Sequence, residues 1–215
     1  MRPALIFEGP EFWRCSMMLI EETTVPDAGL PVDEFKAHLR LGTGFGAGSL
    51  QDEVLISFLR AALAAVEART GKVLLQRGFS WSLTRWRDRE AAAFPVAPVV
   101  AVTRVEIVDR LGGRSDVPAA QYWLEQDGQR PQLRPVGTLL PAIPTAGSVV
   151  IGFEAGYGAS WAEVPADLRQ AVLLLAAHYY EFRNETTLSE GCMPFGVSSL
   201  IERYRTFRIW SGGVA

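Results

Sequence analysis

The sequence predicts an α+β fold: a helical body with an inserted small antiparallel β unit and an extended C-terminal tail. The body consists of two N-terminal helices and one long C-terminal helix. Three observations predict it. Residues 49–70 carry apolar side chains at helical spacing, and residues 77–156 break into short alternating stretches punctuated by Gly and Pro. Residues 164–184 then read as helix again, with residues 171–177 apolar without interruption. A helix that is apolar all round must be covered on all sides. In a chain of 215 residues, part of that cover is expected from other copies, which points to an assembly protein rather than a free enzyme.

The elements follow in order. Residues 23–31, with two prolines and a glycine, read as an extended lead-in. Residues 33–41 read as a short helix, with Phe35 and Leu39 on one face and acidic Asp33 and Glu34 at its start. Residues 42–48 (GTGFGAG) form a loop. Ser49 opens the second helix, and Ser49 with Asp52 resembles a capping box with Asp in place of Glu. Leu50, Val54, Phe58, Ala62 and Val66 make one stripe, with Leu55, Leu59 and Leu63 beside it, and Gly71 is a natural stop. Residues 78–86 alternate Phe79, Trp81 and Leu83 against Ser80, Ser82 and Thr84, a half-buried strand. Residues 99–109 form a second strand, turning at residues 111–114 into a hairpin. Residues 122–125, 132–135 and 148–154 are further strands. Pro165 suits the first position of the next helix, where its missing N–H costs nothing. Residues 198–205 (SSLIERYR) make a last short helix, with Leu200 and Tyr204 on one side.

Composition bounds the function. Hydrophobic residues make up 48% and charged residues 21%, a globular balance. A net charge of −3 disfavours a surface that grips nucleic acid throughout. Cys15 and Cys192 lie far apart with no CxxC spacing, so they read as free thiols of a reducing cytosol, with neither a disulfide framework nor a metal site. The first sixteen residues do not form a signal peptide, and they read as a loose extension or the product of an upstream start. No stretch approaches the ~20 apolar residues that cross a bilayer, so no membrane partner is expected.

Catalytic chemistry is thinly represented. The two histidines are His38 and His178. His178 and Glu181 stand one turn apart, but no nucleophile or further ligand accompanies them at a recognised spacing. The loop at residues 42–48 lacks the GK[ST] ending of a phosphate loop and joins two helices, so it reads as a connector. No catalytic residue, metal ligand or cofactor is assigned. Arg85, Arg87 and Arg89 at strand spacing would share one face, either as a solvated hairpin end or facing DNA or an acidic partner. The tail interleaves Arg203, Arg205 and Arg208 with Tyr204, Phe207 and Trp210, and adds Leu200 and Ile201. Arginine and aromatic residues anchor protein interfaces, so this end reads as a docking element. The other reading, that it packs back on its own domain, stays open.

Taken together, four segments resemble the head–tail connector (adaptor) proteins of long-tailed phages and of phage-derived gene transfer agents. They are LQDEVLISFLRAALAAVEARTGKVL at residues 50–75, PVAPVVAVTRVEIVDRLGG at 95–113, SVVIGFEAGYG at 148–158, and VPADLRQAVLLLAAHYYEFRN at 164–184 with PFGVSSLIERYR at 194–205. Their order covers residues 30–205, and the gene transfer agent version is the nearest likeness. The resemblance implies a non-enzymatic ring below the portal, twelve-fold, at the neck of a particle assembled in the bacterial cytoplasm. The ring extends the DNA channel, passes double-stranded DNA without sequence-specific binding, and joins head to tail. Its implied partners are the portal protein, a stopper or tail-side neck protein, and copies of itself. It implies an extension at residues 1–30, an adaptor domain at 31–185 with its β insertion at 77–156, and a docking tail at 186–215. Leu200, Ile201, Arg203, Tyr204, Arg205, Phe207, Arg208 and Trp210 would be the portal-docking residues. The alternatives are another neck or tail ring protein (stopper or tail terminator), or a small hydrolase using His178 and Glu181.

Overall fold

The computed structural model describes residues 17–41, 49–183 and 193–205. The first strand, β1 (Met17–Glu21), is followed by two helices, α1 (Val32–His38) and α2 (Ser49–Thr70). Seven strands come next: β2 (Arg77–Leu83), β3 (Ala92–Ala93), β4 (Val99–Val108), β5 (Arg114–Asp116), β6 (Tyr122–Glu125), β7 (Gln132–Pro135) and β8 (Ser148–Ala155). The chain closes with α3 (Ala166–Glu181) and α4 (Phe195–Ile201). None of the described helices is long and apolar enough to cross a membrane.

The fold is mixed α and β with antiparallel sheets, and it has two cores. One sheet runs β1-β2-β8-β4-β5 and the other runs β3-β7-β6. Residues paired across antiparallel strands share a face. Phe79, Trp81 and Leu83 of β2 therefore point the same way as their partners Phe153, Ile151 and Val149 of β8. They meet Leu133, Phe94 and Trp86, so the small sheet and its loops cap one face of the large sheet. Phe94 links the layers, with its ring centroid 4.9 Å from that of Phe153 and 5.5 Å from that of Trp81.

The second core lies among the helices. On α2 the buried face is Leu55, Leu59, Ala62, Leu63 and Val66. The expected stripe is thus rotated: Val54 is exposed and Phe58 lies at the edge, against Tyr180. The helix ends where expected, at Gly71 with φ of 68°, a conformation open to glycine at no steric cost. The Ser49 side chain, and with it the proposed capping box, lies outside the described residues, as does the loop at 42–48.

Helix α3 packs against α2, α4 and α1. Ala171, Val172, Leu173, Leu175, Ala176 and Ala177 are all buried inside the single subunit. Leu174 alone in that run is half-buried. The expectation that neighbouring copies cover this helix is therefore corrected: its own chain does so, because α4 closes the side that α2 leaves open. Pro165 precedes the helix as its N-cap rather than occupying the first turn.

Residues 17–30 are also more than a lead-in. β1 pairs antiparallel with β2 along its whole length, Met17 opposite Leu83 and Glu21 opposite Phe79. Val25 and Leu30 sit in the helical core, and Arg60 of α2 donates to the Val25 carbonyl at 2.7 Å. This segment therefore spans both cores.

The two cores meet at a junction of crossing backbones. Gln76 N–H donates to Gly158 O, Tyr157 N–H to Leu74 O, and Gly156 N–H to Pro98 O. Gly156 has φ of 140°, and a Cβ there would stand 2.4 Å from the Gln76 backbone. Neither atom can retreat without breaking the junction. Gly156→Val is expected to cost about 3 kcal/mol or more, the range of forced overpacking plus backbone strain. A urea-unfolding midpoint equal to that of the unaltered chain would contradict this.

Candidate assembly interface

The C-terminal segment folds back on the body as a strap. Pro194 caps α4, and one turn later the helix turns Val197 and Ile201 inward, both essentially without solvent exposure. A 3-10 turn, Glu202–Tyr204, then places Tyr204 in the same core. Its hydroxyl donates to Asp167 Oδ1 at 2.8 Å, and Arg203 pairs with Asp167 Oδ2 at 2.7 Å. The Arg203 guanidinium also lies over the Tyr204 ring, 4.7 Å from its centroid. Asp167 sits in the first turn of α3, where the helix dipole favours a carboxylate. Burial pushes the neighbouring Tyr157 phenol up to about 12, and Tyr204 and Asp167 add to the effect.

This geometry divides the residues expected to dock. Ile201 and Tyr204 are buried in their own subunit and offer no free surface there, which corrects the expectation for those two. Leu200 is half-buried against the helical core, and Arg203 and Arg205 are exposed. The buried face is Val197, Ile201 and Tyr204 rather than Leu200 and Tyr204. The helix starts three residues earlier than expected, at Phe195, so Val197 joins Ile201 and Tyr204 at i, i+4 and i+7. Phe207, Arg208 and Trp210 lie outside the described residues. Phe195, at the start of α4, was not singled out in the sequence, yet its side chain is 89% exposed. An aromatic residue beside Met193 and Pro194 was the available signal.

The arginine triplet does not form a strand face. β2 ends at Leu83, and Trp86 turns inward, donating from Nε1 to Pro141 O at 2.8 Å. Burying that indole breaks the alternation. Arg89 is spent on the loop, donating to Leu140 O at 2.7 Å, while Leu140 N–H donates back to Arg89 O. Arg85 and Arg87 are exposed on either side of Trp86. The strand setting expected of Arg85, Arg87 and Arg89 is thereby corrected to a loop, in which all three are exposed.

His178 lies near the C-terminal end of α3, half-buried, with its ring 4.6 Å from that of Phe182. Aromatic packing accounts for it better than proton transfer does. Among the described residues, no group of three or more His, Cys, Asp or Glu side chains is placed to hold a metal ion.

What the described surface does offer is apolar side chains held on rigid elements. Met17, Met18 and Ile20 project from β1, and Leu111 stands at the tip of the β4–β5 turn. Val136, Leu139 and Trp123 are exposed around the small sheet, where a shallow cavity of about 310 Å³ is lined by Ala120, Val136, Leu139 and Pro141. Exposed apolar side chains gathered on one subunit mark protein contacts more often than catalytic clefts.

Comparison with known proteins agrees with a surface built for assembly. No protein-family model matches the chain, and a search of curated proteins returns no match. Solved structures do match. A chain in the neck of an empty GTA particle, computed with C6 symmetry, shares 51% identity with a TM-score of 0.83. The match covers 91% of this chain and 98% of that one. A chain from the virion of a native gene transfer agent (GTA) particle shares 51% identity over the same shares of both chains, with a TM-score of 0.80. A third, from the neck of a native GTA particle computed with C12 symmetry, shares 48% identity over those shares, with a TM-score of 0.78.

Proposed function

The chain belongs to the family of gene transfer agent neck proteins, and on that premise we propose that it is the head–tail adaptor of such a particle. Twelve copies form a ring below the portal. The ring extends the DNA channel and presents a platform to the stopper or tail-side neck protein. The observation that carries this reading is 51% identity across 98% of a neck chain, because so little of either chain falls outside the match. Cyclic symmetry in the relatives' necks supports a closed ring, in which one patch meets a different patch on the next copy. The role is structural, without a reaction.

Charge suits a channel wall. The chain carries a net charge of −3. Tight phosphate contacts would release counterions and hold the DNA in place, whereas a weakly acidic ring lets a duplex pass. Portal docking falls to the exposed part of the C-terminal segment, Arg203 and Arg205, together with Phe207, Arg208 and Trp210 beyond it. The subunit boundaries shift accordingly. Residues 17–30 and 193–205 join the body, with Arg203 and Arg205 on its surface at the base of the docking tail.

Deleting the gene from a producing strain tests the adaptor role. Full heads without tails are the expected product by electron microscopy, with tailed particles restored by a plasmid copy. Tailed, transducing particles from the deletion strain would overturn it.

A further inference from the structure

We propose that neighbouring subunits meet through opposite edges of the large sheet: the β4–β5 turn of one copy, led by Leu111, seats against the β1 edge of the next, at Met17, Met18 and Ile20. The proposal rests on the ring reading above and locates its contact. A ring contact joins two unlike patches that lie on different flanks of one subunit. The strand order β1-β2-β8-β4-β5 supplies such a pair. Four strand spacings separate its edges, about 19 Å at 4.8 Å per strand.

Each edge carries what a contact needs. Among the described residues β1 pairs only with β2, so its other side presents backbone donors and acceptors. The strand holds no proline, no lysine and no bulge, the devices that keep an open edge from pairing. Met17, Met18 and Ile20 are each about half exposed, at 47%, 54% and 46%. Such a run on an open edge is a liability in a free monomer and an asset in an assembly.

On the opposite flank the edge strand β5 is polar (Arg114, Ser115 and Asp116), but in the turn that leads into it Leu111 is 86% exposed. Its position is not incidental to a loose loop. Asp109 Oδ1 accepts N–H bonds from Leu111 at 2.7 Å and Gly113 at 2.8 Å, and Asp109 N–H donates to Gly113 O at 2.9 Å. Gly112, with φ of 84°, completes the turn. A tip locked in this way holds its leucine out in water with little freedom to lose on docking, the condition for an efficient anchor. Methionines opposite it are suited to receive the leucine, because an unbranched thioether side chain adapts to the shape it meets. The occupant is a second copy of this chain, because a closed ring needs two unlike patches on different flanks of one subunit and the relatives' necks carry cyclic symmetry.

Cross-linking in assembled particles tests the contact. In a Cys15→Ser, Cys192→Ser background, Met18→Cys and Leu111→Cys are introduced together and treated with a short bismaleimide. The expected denaturing gel shows a ladder of subunit multiples from the double variant and none from either single variant. Particles that contain the subunit but give only monomer, or only a cross-link to a different protein, overturn this contact and leave the ring reading standing. Absence of the unaltered subunit from purified particles defeats both. Leu111→Asp and Met18→Asp give a second measurement. Both sites are exposed, so each variant is expected to keep the unaltered thermal melt and to lose incorporation into particles. Normal incorporation of both overturns the proposal.

Discussion

Removing residues 206–215 is expected to leave a folded subunit that fails to join heads to tails, whereas removing residues 200–215 is expected to unfold it. The difference lies in Ile201 and Tyr204. Both are buried against α3, and Tyr204 also satisfies Asp167. Losing a large buried side chain costs about 2–5 kcal/mol, so losing both removes much of a total stability of ~5–15 kcal/mol. Asp167 would in addition lose both Tyr204 and Arg203 as partners. The shorter deletion touches none of these contacts, so its defect should be confined to assembly. Thermal melts of both truncations, with electron microscopy of the particles each supports, separate the two effects. Tails attached normally by the 206–215 deletion would remove the docking role. An unaltered melt for the 200–215 deletion would show that the strap contributes nothing to the core.

Arg77→Ala is expected to destabilise the subunit by about 3–5 kcal/mol, the usual cost of removing one partner from a buried ion pair. The Arg77 side chain is 8% exposed and that of Glu67 12%. Two guanidinium nitrogens reach the Glu67 carboxylate at 2.7 and 3.0 Å, a bidentate fork. Nε lies 2.9 Å from Glu21 of β1, and Nη1 donates to Leu75 O at 3.2 Å. The guanidinium also stands over the Phe79 ring. Burial alone would lower its pKa, but Glu67 and Glu21 more than offset that, so the charge is retained. One side chain thus ties α2, β1 and β2 together where the helical core meets the sandwich. Without it, Glu67 keeps only the Leu74 N–H, at 2.7 Å, among the described residues. Arg77→Lys should recover part of the loss, because an ammonium supplies the charge without the fork. Urea unfolding measures both, and a loss below about 1 kcal/mol for Arg77→Ala would class the pair with exposed ones.

Elements whose cause is local were legible in the sequence. Helix α2 was read from Ser49 to its Gly71 stop, and it runs Ser49–Thr70. Strands at residues 122–125 and 132–135 have the observed ends of β6 and β7, with Pro118 and Gly128 a few residues either side of the first and Pro131 and Gly137 flanking the second. β1 was missed. Its sequence, MMLIE, shows no alternation, and its partner β2 lies about sixty residues away, as the pairing of Met17 with Leu83 shows. The burial of Val25 and Leu30 was missed for the same reason, since nothing within a few residues of either demands it.

The candidate site was legible as composition and not as geometry. Arginine and aromatic residues marked the C-terminus as a place of contact, yet Ile201 and Tyr204 turned inward while Phe195 turned out. Arg85, Arg87 and Arg89 fall in a loop rather than on a strand, because β2 ends at Leu83.

The sequence by itself determined the order of the helices and of the longer strands, the boundaries set by glycine and proline, and, through the resemblance of four segments, the kind of particle. These depend on interactions between residues a few positions apart, or on patterns that survive as patterns. The tertiary structure alone decided which apolar surface is spare. The all-apolar middle of α3 is covered by α2 and α4, while the modest MMLIE strand at one edge of the large sheet and Leu111 in the β4–β5 turn on its other flank are left uncovered. Burial is settled by which distant segments meet, and no residue carries that information in its own neighbourhood.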